Sequence, residues 1–505
     1  MEYAWKNLSD AIFDHALSRP NAPALTEGGV TVTYSQFAAL VSKASVFVHD
    51  LGVQPGEVVA VVMPNSIDHI VLTFALMRIS AVPLDLPTQR PAGAFVDPVL
   101  HFRIGRVFLA DGVPEYKGII CHQIGAEWRQ TIAPLAGDRR VARDQDEMHF
   151  LSLTSGSTGV PKGIATTQRQ WLARTRSAIK LFADVLTHDR PPNLLMAGGM
   201  GFSAFFFFLA NQIAIGGPTV LLPETRDMAQ FTQLLASWDD SVCLMTPPLL
   251  RVLLQQPKTE GPIFPRMRAL FAGAAPLFPD EKLQIADRLC ANFYEVYGSA
   301  ATGFISTLAP ADMRSHTGTV GRLASDVWLE ASDGAGAVLP AGRAGHLRAR
   351  GAGISGGLFQ APSGPTGDEG FRDGWYYPGD VGSIDDAGFI TLKGRAGDMV
   401  RRNNVDIFMP EIEEVLQLHD SVVEAAAVGI PSTANGPDDR LVVFAVTADA
   451  LAPADAAAWC RARIPANKFP DSVYFVRGLP KTANGKIDKL QLRRLAIAGP
   501  GAPPA

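Results

Sequence analysis

Residues 58–63, Val-Val-Ala-Val-Val-Met, form an apolar run rich in β-branched side chains, with no polar position on either alternation. A strand that is apolar on both faces belongs inside a sheet covered on both sides, and that condition is met by parallel α/β architecture. The flanks agree. Leu8, Ile12, Phe13 and Leu17 recur at helical spacing, 31–34 reads as a short strand, and 51–56 (Leu-Gly-Val-Gln-Pro-Gly) is a turn. A helix over 70–79 and an extended segment over 82–85 follow, so helix, turn and buried strand alternate as a parallel sheet requires.

The pattern continues beyond residue 165. Helices are expected over 171–182 and 228–238, and strands over 219–222, 241–246, 269–272 and 293–296. After Gly318 short, glycine-rich extended segments predict a β subdomain, and a final module opens at Asp398. A chain of 505 residues is too long for one core, and 47% hydrophobic content is ample to bury several. The fold class is therefore α/β: a large N-terminal body of α/β subdomains plus a β subdomain, followed by a small C-terminal α+β domain.

Several partners are disfavoured. The net charge of −5 comes without any Lys/Arg-rich run, so there is no footprint for nucleic acid. The most apolar window, 198–222, is broken by Ser203, Asn211, Gln212 and Pro218, so it reads as a buried helix around Phe205 to Phe208 and no membrane span is expected. The first twenty residues lack the pattern of a signal peptide. Cys121, Cys243, Cys290 and Cys460 lie far apart without metal-ligand spacing, which suits core or free thiols in a reducing, cytoplasmic setting.

Chemistry concentrates first in residues 153–163, Leu-Thr-Ser-Gly-Ser-Thr-Gly-Val-Pro-Lys-Gly. Its glycines and hydroxyls exclude a helix or a strand interior, and they let successive N–H groups turn inward as a nest for an oxyanion, with Lys162 adding charge. A Ser/Gly-rich surface turn is the plain alternative. The common P-loop does not fit, because Pro161 and Gly163 stand where it needs Gly and Ser or Thr.

The string resembles the signature loop of the adenylate-forming superfamily, which comprises acyl-CoA synthetases, luciferases and the adenylation domains of peptide synthetases. Later landmarks resemble that family in the same order: 273–276 (Gly-Ala-Ala-Pro), 297–299 (Tyr-Gly-Ser), 375–380 (Trp-Tyr-Tyr-Pro-Gly-Asp), 394–398 (Gly-Arg-Ala-Gly-Asp) and 480–488 (Pro-Lys-Thr-Ala-Asn-Gly-Lys-Ile-Asp). The resemblance implies that Thr154, Ser155, Gly156, Ser157, Thr158, Gly159 and Lys162 grip the terminal phosphates of ATP. It places Gly273, Ala274 and Ala275 against adenine, with Tyr297, Gly298 and Ser299 stacking on it and closing over the α-phosphate. Asp380 and Arg395 would hold ribose, Asp398 would be the hinge, and Lys486, assisted by Thr158 and Lys162, would be the catalytic cation. A body over 1–397 and a C-terminal lid over 398–505 are implied.

The family usually has Thr-Glu after Tyr-Gly-Ser, and this chain has Ala300-Ala301. No protein-held metal is then expected, and Mg²⁺ would arrive on ATP, retaining water. The acyl pocket aligns with Phe202, Ser203, Ala204, Phe207, Leu270, Ala272, Val296, Phe304 and Ile305. Amino-acid-activating relatives carry Asp where Ser203 stands, and a buried ammonium without a counter-charge is costly. A small aryl or aliphatic carboxylic acid is therefore expected, activated to an acyl-adenylate and passed to CoA. A stand-alone acyl-AMP ligase loading a separate phosphopantetheinyl carrier protein is the alternative, and a non-catalytic nucleotide-binding relative is another.

Overall fold

A computed structural model of the chain describes residues 5–88, 96–155, 160–223, 225, 227–257, 259–359, 370–402, 405–430, 439–448, 453–482 and 486–498. The strand Val58–Val62 lies within a four-stranded sheet, between Val82–Leu86 and Arg106–Ala110, and all of its pairings are parallel. Val59 and Val61 pack into one hydrophobic cluster and Ala60 and Val62 into another, so both faces are buried as the uniform apolar run requires.

A nine-stranded sheet forms the rest of the body. Its order runs Arg322–Leu323, Gly303–Leu308, Phe293–Ser299, Met267–Gly273, Ser241–Met245, Asn193–Met196, Thr219–Leu221, Pro23–Glu27, Val30–Thr33. The interior pairings are parallel, and antiparallel strands close both edges. The helix Ser203–Ala214 is buried throughout 205–214, as a helix without a polar face must be. Phe206 stacks on Phe150 with ring centroids 4.4 Å apart, and Trp171 stands edge-on to both.

Beyond Gly318 the expected β subdomain is present as a six-stranded sheet that includes Trp328–Ser332, Gly345–Arg350, Asp380–Ile384 and Ile390–Arg395. The C-terminal residues carry the sheet Val422–Ile430, Arg440–Thr447, Ser472–Phe475. The helix Met409–Gln417 covers one of its faces and Lys489–Ala498 the other. Cys243, Cys290 and Cys460 are buried, Cys121 is half-buried, and all four are free thiols. Among the described residues no helix is long and apolar enough to cross a membrane.

The stretch 153–163 differs from its expected form. Strands Met148–Ser155 and Pro161–Thr167 pair antiparallel, so Thr154, Ser155 and Pro161 to Gly163 are strand rather than loop. A side chain at Gly163 would press on Leu151 and Phe359, both 3.1 Å from its Cβ position, so the glycine serves cross-strand packing. This hairpin feeds the helix Gln168–Leu181, whose Thr167 cap and Gln170 form a capping box. Thr167→Ala should cost about 1 kcal/mol, read as a lower urea midpoint with an unchanged far-ultraviolet spectrum.

Candidate active site

The residues expected to face a nucleotide include Tyr297, Asp380 and Arg395, which meet where the nine-stranded sheet adjoins the β subdomain. Asp380 and Arg395 face each other across the hairpin of Asp380–Ile384 and Ile390–Arg395. Arg395 Nε donates to Asp380 Oδ1 at 3.1 Å, and the Tyr297 hydroxyl donates to Oδ2 at 2.7 Å. Both carboxylate oxygens therefore have a partner, which fixes the Asp380 rotamer before any ligand arrives. Burial, reinforced by the Asp380 charge, holds the Tyr297 phenol far above its ordinary range, so it stays a donor. Burial also raises Tyr376, whose side chain hydrogen-bonds Ser299.

Ala274 sits exposed at φ 73, a left-handed conformation that is uncommon for alanine and turns its backbone outward after the strand Met267–Gly273. Gly273 and Gly298 have a further reason to be small besides the one expected. A Cβ at Gly273 would stand 2.6 Å from the carbonyl oxygen of Val296, and one at Gly298 only 1.9 Å from that of Gly303. Neighbouring backbone demands glycine at both, before any nucleotide is considered. In the stretch expected to bind phosphate, Thr154 lies opposite Lys162 and Ser155 opposite Pro161. Gly156, Ser157, Thr158 and Gly159 lie outside the described residues.

Of the nine expected acyl-pocket residues, the structure brings six together. Phe202, Ser203 and Ala204 open the helix Ser203–Ala214. Phe207 lies one turn further on, its ring 4.7 Å from that of Phe304, and Val296 joins the same cluster. Leu270, Ala272 and Ile305 do not belong with them. Alternate residues of a strand point to opposite faces. Leu270 and Ala272 bury against Leu253 and Phe264, and Ile305 packs with Leu329 and Leu347.

Lys486 reaches this wall from the C-terminal residues. Its Nζ stands 5.6 Å from the centroid of the Phe202 ring, a cation–π contact. The Lys486 carbonyl accepts from the Thr482 amide at 2.7 Å, and Lys481 pairs with Glu424. Burial lowers the Lys486 pKa, and Arg395 lowers it further against the opposing pull of Asp380. Its charge is therefore lost on raising the pH earlier than the ordinary lysine value of 10.5. A reaction that needs this cation should decline as the pH climbs through that lowered value. Lys486→Arg should move the alkaline limb of the pH–rate profile upward, and an unmoved limb assigns it to another group. Asp398, in the short turn Ala396–Asp398, forms an ion pair with Arg493 at 2.9 Å.

Sequence reasoning missed the residues that hold the 299–303 turn. Thr302 Oγ1 accepts from the Ser299 amide at 2.9 Å and donates to the Gly303 carbonyl. Arg174 binds the carbonyls of Ala300 and Ala301 at 3.0 and 2.7 Å. Ala301 is fully buried, and its carbonyl also accepts from the Ser355 amide. Its methyl side chain carries no donor atom, and its carbonyl is engaged twice within the chain.

The chain belongs to the AMP-binding enzyme family: the model of that family matches residues 12–359, and the model of its C-terminal domain matches 411–486. It is 26% identical over 495 residues to a feruloyl-CoA synthase of an Amycolatopsis species, covering 94% of this chain and 96% of the relative. It is 25% identical over 541 residues to a long-chain-fatty-acid–CoA ligase of Yersinia pestis, with 97% and 94% covered. Its fold matches that of O-succinylbenzoate coenzyme A synthetase from Bacillus subtilis, solved with ATP and magnesium ion, at a TM-score of 0.81 and 20% identity, covering 96% of this chain and 99% of that one.

Proposed function

We propose that the protein activates a carboxylic acid other than an α-amino acid, aryl or aliphatic, with ATP, and transfers the acyl group to the thiol of CoA. A carboxylate oxygen attacks the α-phosphorus, the bond to the bridging oxygen breaks, and pyrophosphate leaves with the electron pair. The thiol then displaces AMP from the acyl carbon. The observation that carries this reading is Lys486 standing over Phe202 while within electrostatic reach of Asp380 and Arg395. A cation so placed lies between a ribose-binding carboxylate and an apolar wall, where negative charge develops as the α-phosphate is attacked.

In this reading Asp380 and Arg395 hold ribose, Tyr297 and residues 273–275 hold adenine, and Thr154 and Lys162 border the phosphates. Residues 1–397 act as the body and 398–505 as a domain that turns about Asp398, with the Asp398–Arg493 pair holding the present arrangement. The residues at 300–302 offer no carboxylate, so a protein-held divalent ion does not fit there, and Mg²⁺ is taken to enter on the phosphates of ATP. Ser203 beside Phe202 provides no counter-charge for an ammonium, which supports an uncharged acyl group. Free thiols suit a reducing compartment such as the cytoplasm.

A panel of aryl and aliphatic acids incubated with ATP and Mg²⁺ tests this by pyrophosphate release. At least one acid is expected to give turnover, and added CoA should carry it through to thioester. Release that becomes productive only with a phosphopantetheinylated carrier protein reassigns the acceptor. ATP binding without release for any acid discards the enzyme reading.

A further inference from the structure

Arg174, on the helix Gln168–Leu181, is only 4% exposed. The other buried cations of the body have carboxylate partners: Arg78 has Asp10 and Asp138, Arg106 has Glu57, and Lys282 has Glu295. Arg174 has none among the described residues. Its donors go instead to neutral oxygens. Nε binds the Gly353 carbonyl at 2.5 Å, Nη1 that of Ala300 at 3.0 Å, and Nη2 both the Ala301 carbonyl at 2.7 Å and Ser355 Oγ at 2.9 Å. Each guanidinium nitrogen thereby has an acceptor, while the charge meets no carboxylate and only the ring of Trp171, 5.7 Å from Cζ, an arrangement that a buried ion ordinarily avoids. Burial lowers the guanidinium to about 9, which leaves it charged at neutral pH.

The segments that meet at this guanidinium are those that border the cleft. The 300–301 carbonyls directly follow Tyr297, Gly298 and Ser299. Ser355 Oγ bonds Thr166 Oγ1 at 3.1 Å, and Thr166 lies on the strand Pro161–Thr167 that carries Lys162. Tyr376, close enough to influence Arg174 electrostatically, hydrogen-bonds Ser299. One cation thus ties the phosphate hairpin, the turn after Tyr297 and the 351–355 segment together from behind.

We infer that Arg174 is a positioning residue whose unbalanced charge is neutralised by the polyphosphate of a bound nucleotide, so that its fork sets the 299–303 turn and its charge favours the anion. This rests on the proposed ATP site. The fork and the charge are separable by substitution, because lysine keeps the charge and loses the four-oxygen geometry, while glutamine loses the charge.

Calorimetric titration of the full chain with ATP and with adenosine, which shares base and ribose but lacks phosphate, tests the inference. Arg174→Gln is expected to weaken ATP at least about tenfold while adenosine stays within about twofold. Arg174→Lys should hold ATP affinity within about threefold and lose most of kcat. Equal weakening of both ligands by Arg174→Gln, or weakening of neither, overturns the inference. Should Arg174→Gln fail to fold, Ser355→Ala removes one acceptor and leaves the charge: the ATP-to-adenosine affinity ratio is expected to hold while turnover falls, and a collapse of the ratio overturns the role of charge. A wild-type chain that binds adenosine and ATP equally refutes Arg174's role alone, and one that binds neither removes the site reading with it.

Discussion

Replacing Lys486 with alanine is expected to slow acyl-adenylate formation by about 10²–10³-fold, the typical loss when one preorganised charge or donor is removed from a developing oxyanion. Stability should barely change. The Lys486 ammonium makes no hydrogen bond or ion pair among the described residues, and it stands over the face of Phe202. Burial already disfavours its charged form, so removal relieves a cost in the folded state rather than deleting a support. Acid-dependent pyrophosphate release and thermal unfolding, measured on the same preparation, check the claim. A rate loss accompanied by a large fall in unfolding temperature would assign the lysine a structural role. A rate loss below about threefold would move the catalytic charge elsewhere, with Lys162 and Arg395 the next to test.

Asp380→Asn is expected to weaken ATP by about 30- to 150-fold, corresponding to about 2–3 kcal/mol for hydrogen bonds to a charged group. The asparagine is nearly isosteric, yet its single oxygen cannot accept from Tyr297 and Arg395 together and still serve ribose hydroxyls. Arg395 would also lose its ion-pair partner. The loss belongs to ribose, so ATP, AMP and adenosine should weaken alike in titrations. A loss confined to ATP would place Asp380 at the phosphates. Parallel loss across all three nucleotides is the opposite signature from the one expected at Arg174, so the two substitutions divide the cleft into a ribose end and a phosphate end.

What could be read from the amino-acid sequence depended on whether a residue's neighbours were local. The strand at 58–62 was legible because burial on both faces leaves a continuous apolar run. The Asp380 and Lys486 segments were singled out by their resemblance to the family's motifs, since turn chemistry alone reads such residues as a self-capping Asp and a solvated Lys. Leu270, Ala272 and Ile305 were assigned to the acyl wall by their place in a motif, although strand parity puts them on faces away from Phe207. Arg174 gave no signal at all. On an amphipathic helix an arginine reads as solvated, and what buries it here comes from 300–301 and 353–355, more than a hundred residues downstream. The reason for Gly298 was hidden similarly, since the atom that excludes a side chain is a carbonyl across a hairpin.

The contact of Phe207 with Phe304 bears on how such an enzyme could be redesigned. These two rings, with Phe202 and Val296, come from one helix and two strand positions, and none of the four overlaps the residues assigned to ribose or phosphate. In the proposed reading, substrate choice and nucleotide handling are thus encoded on separable parts of the chain. A library confined to 203–207, 296 and 304, which leaves Phe202 in place beneath Lys486, would explore new acids without reopening the problem of activating them, so a change of diet need not carry a loss of chemistry.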